Sequence, residues 1–230
     1  MSKPHPASHL RPGHRSGGEN GSRDRFRAQQ ARRAEKEAEL KRAGECLTRA
    51  YLNAWDSIDE GDTRKYGILP INLKKFDSSV MAPLYDEHLA VKNILRSPFG
   101  DITDTPCRAP IKGLFWHCGL WLDNGRPSGG PIVVTTTVLG AGRIHKQTLG
   151  GVAASITLDN LDFTAGVMRR LFPERDLIIA VPQGNSLDTM ARRTVEAVAR
   201  LHRAFAVPIF REDEVASVLQ AVLERQISHD

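Results

Sequence analysis

Three polar turns in the second half of the chain are where catalytic groups would be expected. Each turn follows a short apolar run, and in an α/β sheet the working residues lie at the carboxyl ends of the strands. The turns are Thr135–Thr137, Thr157–Asp159 and Pro182–Gly184. They offer mainly hydroxyl groups, with one carboxylate and one amide, so the first question is whether they could hold a catalytic metal ion.

The composition of these turns argues against metal-assisted phosphoryl transfer. Mg²⁺ requires anionic oxygen ligands in near-octahedral geometry, and neither Thr135–Gly142 nor Ile178–Gly184 contains an acidic residue. Asp159 is either a remaining metal ligand or, the interpretation we favour, the N-cap of a helix that starts at Asn160 or Leu161. We therefore predict that the chain is not an enzyme and has no catalytic residue, bound metal or cofactor.

Other motifs give no stronger site. Gly140-Ala141-Gly142 lies inside a predicted helix and is not followed by the Gly-Lys-Ser/Thr of a phosphate loop. The candidate zinc ligands are Cys107, His117, Cys118 and His145. Their spacing is not that of a structural zinc site, and we expect His145 to face solvent or to cap a neighbouring element.

The cysteines and the apolar segments predict a location. The chain has three cysteines without a CxxC pair, no secretory signal at its start and no apolar run long enough to span a membrane. We therefore expect a cytoplasmic protein that does not insert into a membrane.

The elements that would position the three turns alternate between strands and helices. From Pro131 onwards, apolar runs of strand length alternate with segments that have an apolar stripe at helical spacing. The predicted strands are Ile132–Val134, Val152–Ile156, Leu177–Val181 and Val207–Phe210, and the predicted helices are Val138–Leu149, Leu161–Phe172, Leu187–Phe205 and Val215–Ile227. This alternation predicts an α/β fold, a mainly parallel sheet flanked by helices.

The chain before Pro131 predicts a helix and a small β layer. Ser79–Leu84 and Leu89–Leu95 favour a hairpin, and Ile111–Gly119 favours a further short strand. We expect a disordered basic tail over 1–22, a helix over 23–58 with an apolar stripe in its second half, a β-rich subdomain over 59–130 and the α/β domain over 131–230.

The basic charge is concentrated near the N-terminus. Residues 1–46 hold eleven Lys and Arg residues against six acidic ones, which accounts for the whole net charge of +5. A uniformly basic nucleic-acid-binding core is therefore excluded. Arg32 and Arg33 lie in the predicted helix, whose first half is either a solvated charged face or a contact for DNA phosphates or an acidic protein.

Trp121 and Arg126 are candidate partner-binding residues. Trp and Arg dominate binding hot spots, and Trp121 stands close to the polar segment Asp123–Arg126. Core packing is the default interpretation of Trp121, and contact with a partner through an exposed Trp121 is the alternative.

Several motifs, in this order, resemble the TOPRIM domain of plasmid and phage primases. The matching stretches are YGI from Tyr66, MAPLYDEHLAVKNI from Met81, GLFWHCG from Gly113, PIVVTTTVLGAGRIHKQTLG from Pro131 and ITLDNLDFTAGVMRRLFPERDLIIAVPQG from Ile156. The resemblance covers roughly Tyr66 to Phe210. It aligns the family's Glu-Gly pair with Thr136 and Thr137, a further acidic position with Thr157, and the family's Asp-x-Asp with Pro182 and Gly184 on either side of Gln183.

The resemblance therefore implies a degenerate TOPRIM-like domain that lacks the metal ligands of primases. We expect a non-catalytic mobile-element protein that acts by protein binding. Because such primases are associated with conjugative plasmids, we expect a fertility-inhibition factor that blocks transfer of a co-resident plasmid by binding its coupling ATPase or relaxosome. The alternative is an accessory nucleic-acid-binding protein of plasmid or phage replication or transfer, with weak DNA contact through residues 1–46.

Overall fold

The strands of the described residues form two sheets. The computed structural model describes residues 18–53, 58, 64, 67–76, 79–98, 111–121, 130–182, 189–209 and 224. The strands are β1 Lys74–Phe76, β2 Ser79–Tyr85, β3 Val91–Pro98, β4 Trp116–Cys118, β5 Ile132–Thr135, β6 Val152–Ala154, β7 Leu177–Pro182 and β8 Phe205–Ile209. The α-helices are α1 Gly18–Asn53, α2 Val138–Thr148, α3 Leu161–Leu171 and α4 Thr189–Leu201.

The smaller sheet has the order β1-β2-β3, is antiparallel throughout and contains the predicted hairpin. The Asp86 carboxylate holds the hairpin turn by accepting hydrogen bonds from the backbone N–H groups of His88 and Ala90, each at 2.9 Å. The hairpin prediction is confirmed. β1 has no counterpart among the predicted strands, because its two lysines do not give an alternating apolar pattern.

The larger sheet has the order β4-β6-β5-β7-β8 and confirms the predicted α/β alternation. β5 to β8 run parallel, and β4 pairs antiparallel with β6 at one edge. Several predicted bounds are wrong. The predicted strand Ile111–Gly119 is shorter, since β4 covers only Trp116–Cys118. β6 ends before Ile156, which has a φ of 70° that no strand residue adopts, and α4 ends at Leu201, so that Phe205 is the first residue of β8.

Side chains of the parallel strands alternate between two buried faces. On one face Val133 belongs to the same hydrophobic cluster as Ile144 of α2 and the inner side chains of the three-stranded sheet. On the other face Val134 belongs to a cluster with Met168 of α3 and Val198 of α4. The parallel sheet is therefore covered by helices on both faces, as in doubly wound α/β folds.

α1 begins at Gly18, so the expected disorder of residues 18–22 is wrong; residues 1–17 lie outside the described part of the chain. Tyr51, one residue of the predicted apolar stripe, is buried against Met81 and Ile94, on the face of the three-stranded sheet that points away from the parallel strands. The predicted helix end at Ile58 is also wrong. Ile58 is buried but has no regular secondary structure.

The chain separates into two compact units, Met1–Leu40 and Lys41–Asp230. The expected boundary between residues 130 and 131 does not coincide with this division, and β4, which precedes that boundary, belongs to the five-stranded sheet. The predicted closing helix over Val215–Ile227 lies outside the described residues apart from Glu224, which is helical.

Candidate functional site

The three polar turns lie at the carboxyl ends of the parallel strands, as predicted. Thr135 is the last residue of β5, Thr136 follows it half-buried, and Thr137 is the N-cap of α2, with its Oγ1 accepting a hydrogen bond from the Gly140 N–H group at 3.0 Å. Pro182 is the last residue of β7 and pairs with Ile209 of β8. The remaining residues of that turn, Gln183 and Gly184, lie outside the described residues.

β5 and β7 enclose the topological switch point of the sheet. The chain leaves β5 towards α2 on one face, whereas α4, which follows β7, packs on the opposite face. Open α/β sheets bind their ligands outside the carboxyl ends of the strands at this point. The candidate site is therefore the end of β5, Thr135–Thr137. The turn at Ser155–Thr157 borders it on the side of β6, and the Ser155 N–H group donates a hydrogen bond to the Thr135 carbonyl at 2.9 Å.

This edge does not provide the ligands of a magnesium site. Thr136, Thr157 and Pro182 offer neutral atoms where a hard divalent cation requires carboxylates, and the described residues hold no cluster of three His, Cys, Asp or Glu side chains that could bind a metal. Asp159 is exposed in a short 3₁₀ helix, Leu158–Asn160. Its interpretation as an N-cap is wrong, because Thr157 occupies the N-cap position of the 3₁₀ helix and Asn160 that of α3.

The turn after β6 is held in an unusual backbone conformation. Ile156 has a φ of 70°, and a β-branched residue pays about 1–2 kcal/mol for the left-handed region. Burial of the Ile156 side chain in the core offsets this cost, since an apolar side chain of that size contributes about 1.5–3 kcal/mol. The sequence does not predict this conformation. A Gly or Asn at position 156 would have indicated a left-handed residue.

Asn160 connects this edge to the segment before β4. The residue is buried, its Oδ1 accepts a hydrogen bond from the Gly113 N–H group at 2.9 Å, and its Nδ2 donates to the Ser155 carbonyl at 3.0 Å and to the Leu114 carbonyl. Sequence reasoning treated Asn160 as part of a family motif and missed this structural role. A polar residue directly before an apolar helix face was the available signal.

Trp121 is half-buried rather than freely exposed. Its ring lies 5.4 Å from the His117 ring and 5.7 Å from the Phe172 ring, and the His117 ring lies 4.4 Å from that of Tyr85. Core packing is therefore the main contribution of Trp121 in the described structure. Arg126 lies outside the described residues, so partner binding through this pair stays a prediction.

His117 and Cys118 are buried on β4. Burial lowers the pKa of His117 to about 4, which keeps the imidazole neutral at physiological pH. Burial also raises the pKa of the Cys118 thiol far above its ordinary value, so this cysteine is not a reactive thiolate.

His145 is buried in α2, so the expectation that it faces solvent is wrong, whereas the alternative that it caps a neighbouring element agrees with its bond to the segment after α2. Its Nδ1 donates a hydrogen bond to the Gly150 carbonyl at 2.7 Å, because a carbonyl oxygen can only accept. The ring lies directly against Gly119: a Cβ atom at that position would be 2.3 Å from Cε1 of His145. Gly119 also has a φ of 63°, so two features require glycine there.

We predict that Gly119→Ala lowers the free energy of unfolding by about 2–3 kcal/mol, which combines the cost of a positive φ with the displacement of His145. The matched control is Gly67→Ala. Gly67 has a φ of 70°, but no described atom lies within 4 Å of its added Cβ, so only the backbone cost applies. Urea denaturation of both variants would test this, and equal losses would show that the His145 contact contributes nothing.

The arginines of α1 are available to solvent. Arg32 and Arg33 are exposed, as are Arg23, Arg25 and Arg27 on the same helix. Their exposure is compatible with a partner contact and equally with a solvated charged face, so the role of Arg32 and Arg33 stays a prediction.

The fold is that of a doubly wound α/β protein with a mixed sheet, in which Thr135–Thr137 at the end of β5 and Pro182 at the end of β7 carry no carboxylate. The chain matches no protein-family model, and comparison with curated proteins and with solved structures gives no significant match. None of the helices in the described ranges is long and apolar enough to cross a membrane.

Proposed function

We propose that this chain is a non-catalytic, TOPRIM-like mobile-element protein that inhibits conjugative transfer of a co-resident plasmid by binding a component of its transfer machinery, the coupling ATPase or the relaxosome. The observation that carries this proposal is the chemistry of the strand ends. Thr136, Thr157 and Pro182 stand at the edge where a metal-dependent nucleic-acid enzyme would need carboxylates. Such a domain can still present a shaped surface to a partner.

The order of the elements supports the TOPRIM-like part of the proposal. The family has a strand and a helix, then a strand that leads to an Asn-Leu opening a second helix, and then a third strand. β5, α2, β6, Asn160-Leu161, α3 and β7 follow each other in this order, and the strands are parallel. The exchange of carboxylates for neutral residues would leave such a scaffold folded, because its core is apolar on both faces of the sheet.

Donor cells that carry a conjugative plasmid and express this chain should transfer the plasmid at least about tenfold less often than donors with an empty vector, since one blocked transfer component stops the whole process. The measurement is transfer frequency by mating, together with capture of the coupling ATPase and the relaxase on the purified chain. Unchanged transfer frequency with no captured transfer protein would contradict the proposal.

The exposed arginines of α1 favour accessory nucleic-acid binding as the second candidate function. DNA titrations in the same study separate the two functions, because each phosphate contact contributes about 0.9 to the slope of log K against log salt concentration. A steep slope that falls by about 2 in Arg32→Ala/Arg33→Ala would favour DNA binding. Arg192→Ala/Arg193→Ala is the matched control, since it removes the same charge from an exposed pair on α4.

A further inference from the structure

The first half of α1 is a long stretch of helix with no buried side chain. Every residue from Arg25 to Glu39 is exposed. Most helices of globular proteins are stabilised by packing one face against the rest of the protein, and no described element covers this stretch. All of its faces are therefore available to a partner.

One face of this stretch is basic. A helix turns by about 100° per residue, so positions 25, 29, 32 and 36 lie above one another. These positions hold Arg25, Gln29, Arg32 and Lys36, which we call the basic face. Between Arg25 and Lys36 the only acidic residue is Glu35, about a quarter of a turn away from the basic face.

The basic face lacks counter-charges of its own. Arg32 and Lys36 are four residues apart, and like charges at this spacing repel each other and destabilise a helix. None of the ion pairs printed by the geometry of the described residues involves Arg25, Arg32 or Lys36. A polyanionic partner would relieve this repulsion by supplying the missing negative charge.

The composition of the stretch favours a nucleic acid over an acidic protein. A protein interface has an apolar core with large anchoring side chains, but between Arg25 and Glu39 the only large apolar side chain is Phe26, which is 61% exposed. Nucleic-acid contacts instead use Arg and Lys for phosphates and Arg and Gln for the edges of guanine and adenine. The basic face holds these residue types.

The shape of the stretch favours duplex DNA. An α-helix with its side chains is about 10–12 Å wide, and the major groove of B-form DNA is about 12 Å wide. The basic face is about 17 Å long from Arg25 to Lys36, which is about half a turn of the duplex. The major groove of duplex RNA is too narrow for side chains to read.

We propose that α1 lies in the major groove of duplex DNA with its basic face, Arg25, Gln29, Arg32 and Lys36, towards the bases and the bordering phosphates. This inference rests on the second candidate function, nucleic-acid binding, for which it names the partner and the contact face. It is independent of the role proposed in conjugation.

The test compares two double variants of the full chain that remove the same charge from opposite faces of α1. Arg25→Ala/Arg32→Ala should lower the affinity for a DNA duplex of about 20 base pairs by about tenfold or more, and the slope of log K against log salt concentration should fall by about 2. Arg23→Ala/Arg27→Ala is the matched control. Arg23 and Arg27 are equally exposed but lie roughly 160° around the helix from the basic face, so the affinity should stay within about twofold of the wild type.

The choice of probe separates duplex DNA from other polyanions. The wild-type chain is titrated with the DNA duplex, an RNA duplex of the same sequence and length, and polyglutamate, and the DNA should bind most tightly. Methyl green, a major-groove ligand, should displace the chain from DNA, whereas the minor-groove ligand netropsin should not.

The outcomes distinguish this inference from the function on which it rests. No binding to either duplex would contradict nucleic-acid binding and the groove contact together. Equal losses in the two double variants, equal affinity for DNA and RNA, or displacement by netropsin alone would leave nucleic-acid binding in place and overturn the major-groove contact. Polyglutamate binding as tight as DNA binding would overturn it in favour of an acidic protein partner.

Discussion

Acidification from about pH 7 to about pH 4 should lower the free energy of unfolding by about 3 kcal/mol through His117 alone. Burial lowers the pKa of this imidazole from its ordinary value of 6.5 to about 4 in the folded chain. Between these two values the unfolded chain binds a proton that the folded chain does not, so stability falls by about 1.4 kcal/mol per pH unit. The contribution is complete above pH 6.5 and is lost as the pH falls towards 4.

The surroundings of His117 do not offset this cost. The rings of Tyr85 and Trp121 could attract an imidazolium by a cation–π interaction, but that is worth about 0.5–2 kcal/mol, less than the cost of burying the charge. Burial raises the pKa of Tyr85, so its phenol is neutral throughout this range and supplies no counter-charge. Nδ1 of His117 has no hydrogen-bond partner among the described residues, which leaves an added proton unsatisfied there.

The Asp86 carboxyl contributes mainly below this pH window. Burial of the Asp86 carboxyl raises its pKa, but hydrogen bonds from the N–H groups of Ala90 and His88 and the charge of Lys92 outweigh burial and hold the pKa below its ordinary value of 3.8. The stability that Asp86 contributes is therefore present above 3.8 and lost only under more acidic conditions.

Urea denaturation at several pH values between about 7 and 4 measures the effect of His117. His117→Phe should remove most of the pH dependence between 6.5 and 4, because phenylalanine fills the aromatic site without titrating. His88→Phe is the matched control, since the side chain of His88 is 81% exposed and the substitution is the same. If His117→Phe kept the slope of the wild type, the acid sensitivity would have to come from other groups.

The parts of the fold that depend on periodicity could be predicted from the sequence. The predicted bounds of β5, β7 and α3 agree with the structure to within a residue or two. This is because burial on a sheet or on one helix face imposes a repeating pattern of apolar residues. The same reasoning could not assign β4 to the larger sheet. The pairing of Trp116 with Ala154 joins segments far apart in the chain, and local pattern does not encode such a contact.

The contacts by which single side chains hold loops in place also could not be predicted from the sequence pattern. The guanidinium of Arg169 donates hydrogen bonds to the carbonyls of Arg175, His202 and Arg203 at 2.7, 3.0 and 3.0 Å, and so holds the end of α3 against the turn after α4. In the sequence it is one of two adjacent arginines. Arg170 instead forms an exposed ion pair with Glu87, and only the folded backbone distinguishes the two.

The sequence predicted where the candidate site lies in the fold, but not the environment of its individual side chains. The rule that ligands bind at strand carboxyl ends located the turns that contain Thr136 and Pro182, and both residues lie at strand ends. The sequence analysis placed Thr135 with the neutral residues of its turn, which cannot bind a metal ion, because a threonine at the end of an apolar strand gives no further signal. In the structure the Thr135 hydroxyl is buried and has no hydrogen-bond partner among the described residues, which no sequence pattern predicts.

Asn160→Asp should be the most damaging single-atom change in the described structure, with an expected loss of about 3–5 kcal/mol in the free energy of unfolding at neutral pH. The substitution keeps the oxygen that accepts from the Gly113 N–H group. It replaces Nδ2, however, by a second oxygen that faces the carbonyls of Leu114 and Ser155, so two attractive contacts become repulsive. The residue is only 4% exposed, and the new charge would have no water to stabilise it.

Asn160→Ala separates the lost bonds from the buried charge. Alanine removes the three hydrogen bonds and leaves the backbone groups of Gly113, Leu114 and Ser155 without this partner, for an expected loss of about 2–4 kcal/mol. The difference between the two variants estimates the cost of the carboxylate. Asn72→Asp is the matched control, because Asn72 is half-buried and donates a single bond from Nδ2 to the His117 carbonyl at 2.9 Å, for which we expect about 1 kcal/mol.

The Asn160 side chain joins the turn after β6, the start of α3 and the segment before β4, so its loss should loosen all three together. Hydrogen exchange in Asn160→Ala should therefore become faster at the amides of Gly113, Ser155 and Leu161 while that of Ile179 in β7 stays close to the wild type. Faster exchange confined to Gly113 would mean that each segment is held by its own contacts. Coordinated opening would mean that one buried amide organises this edge of the sheet.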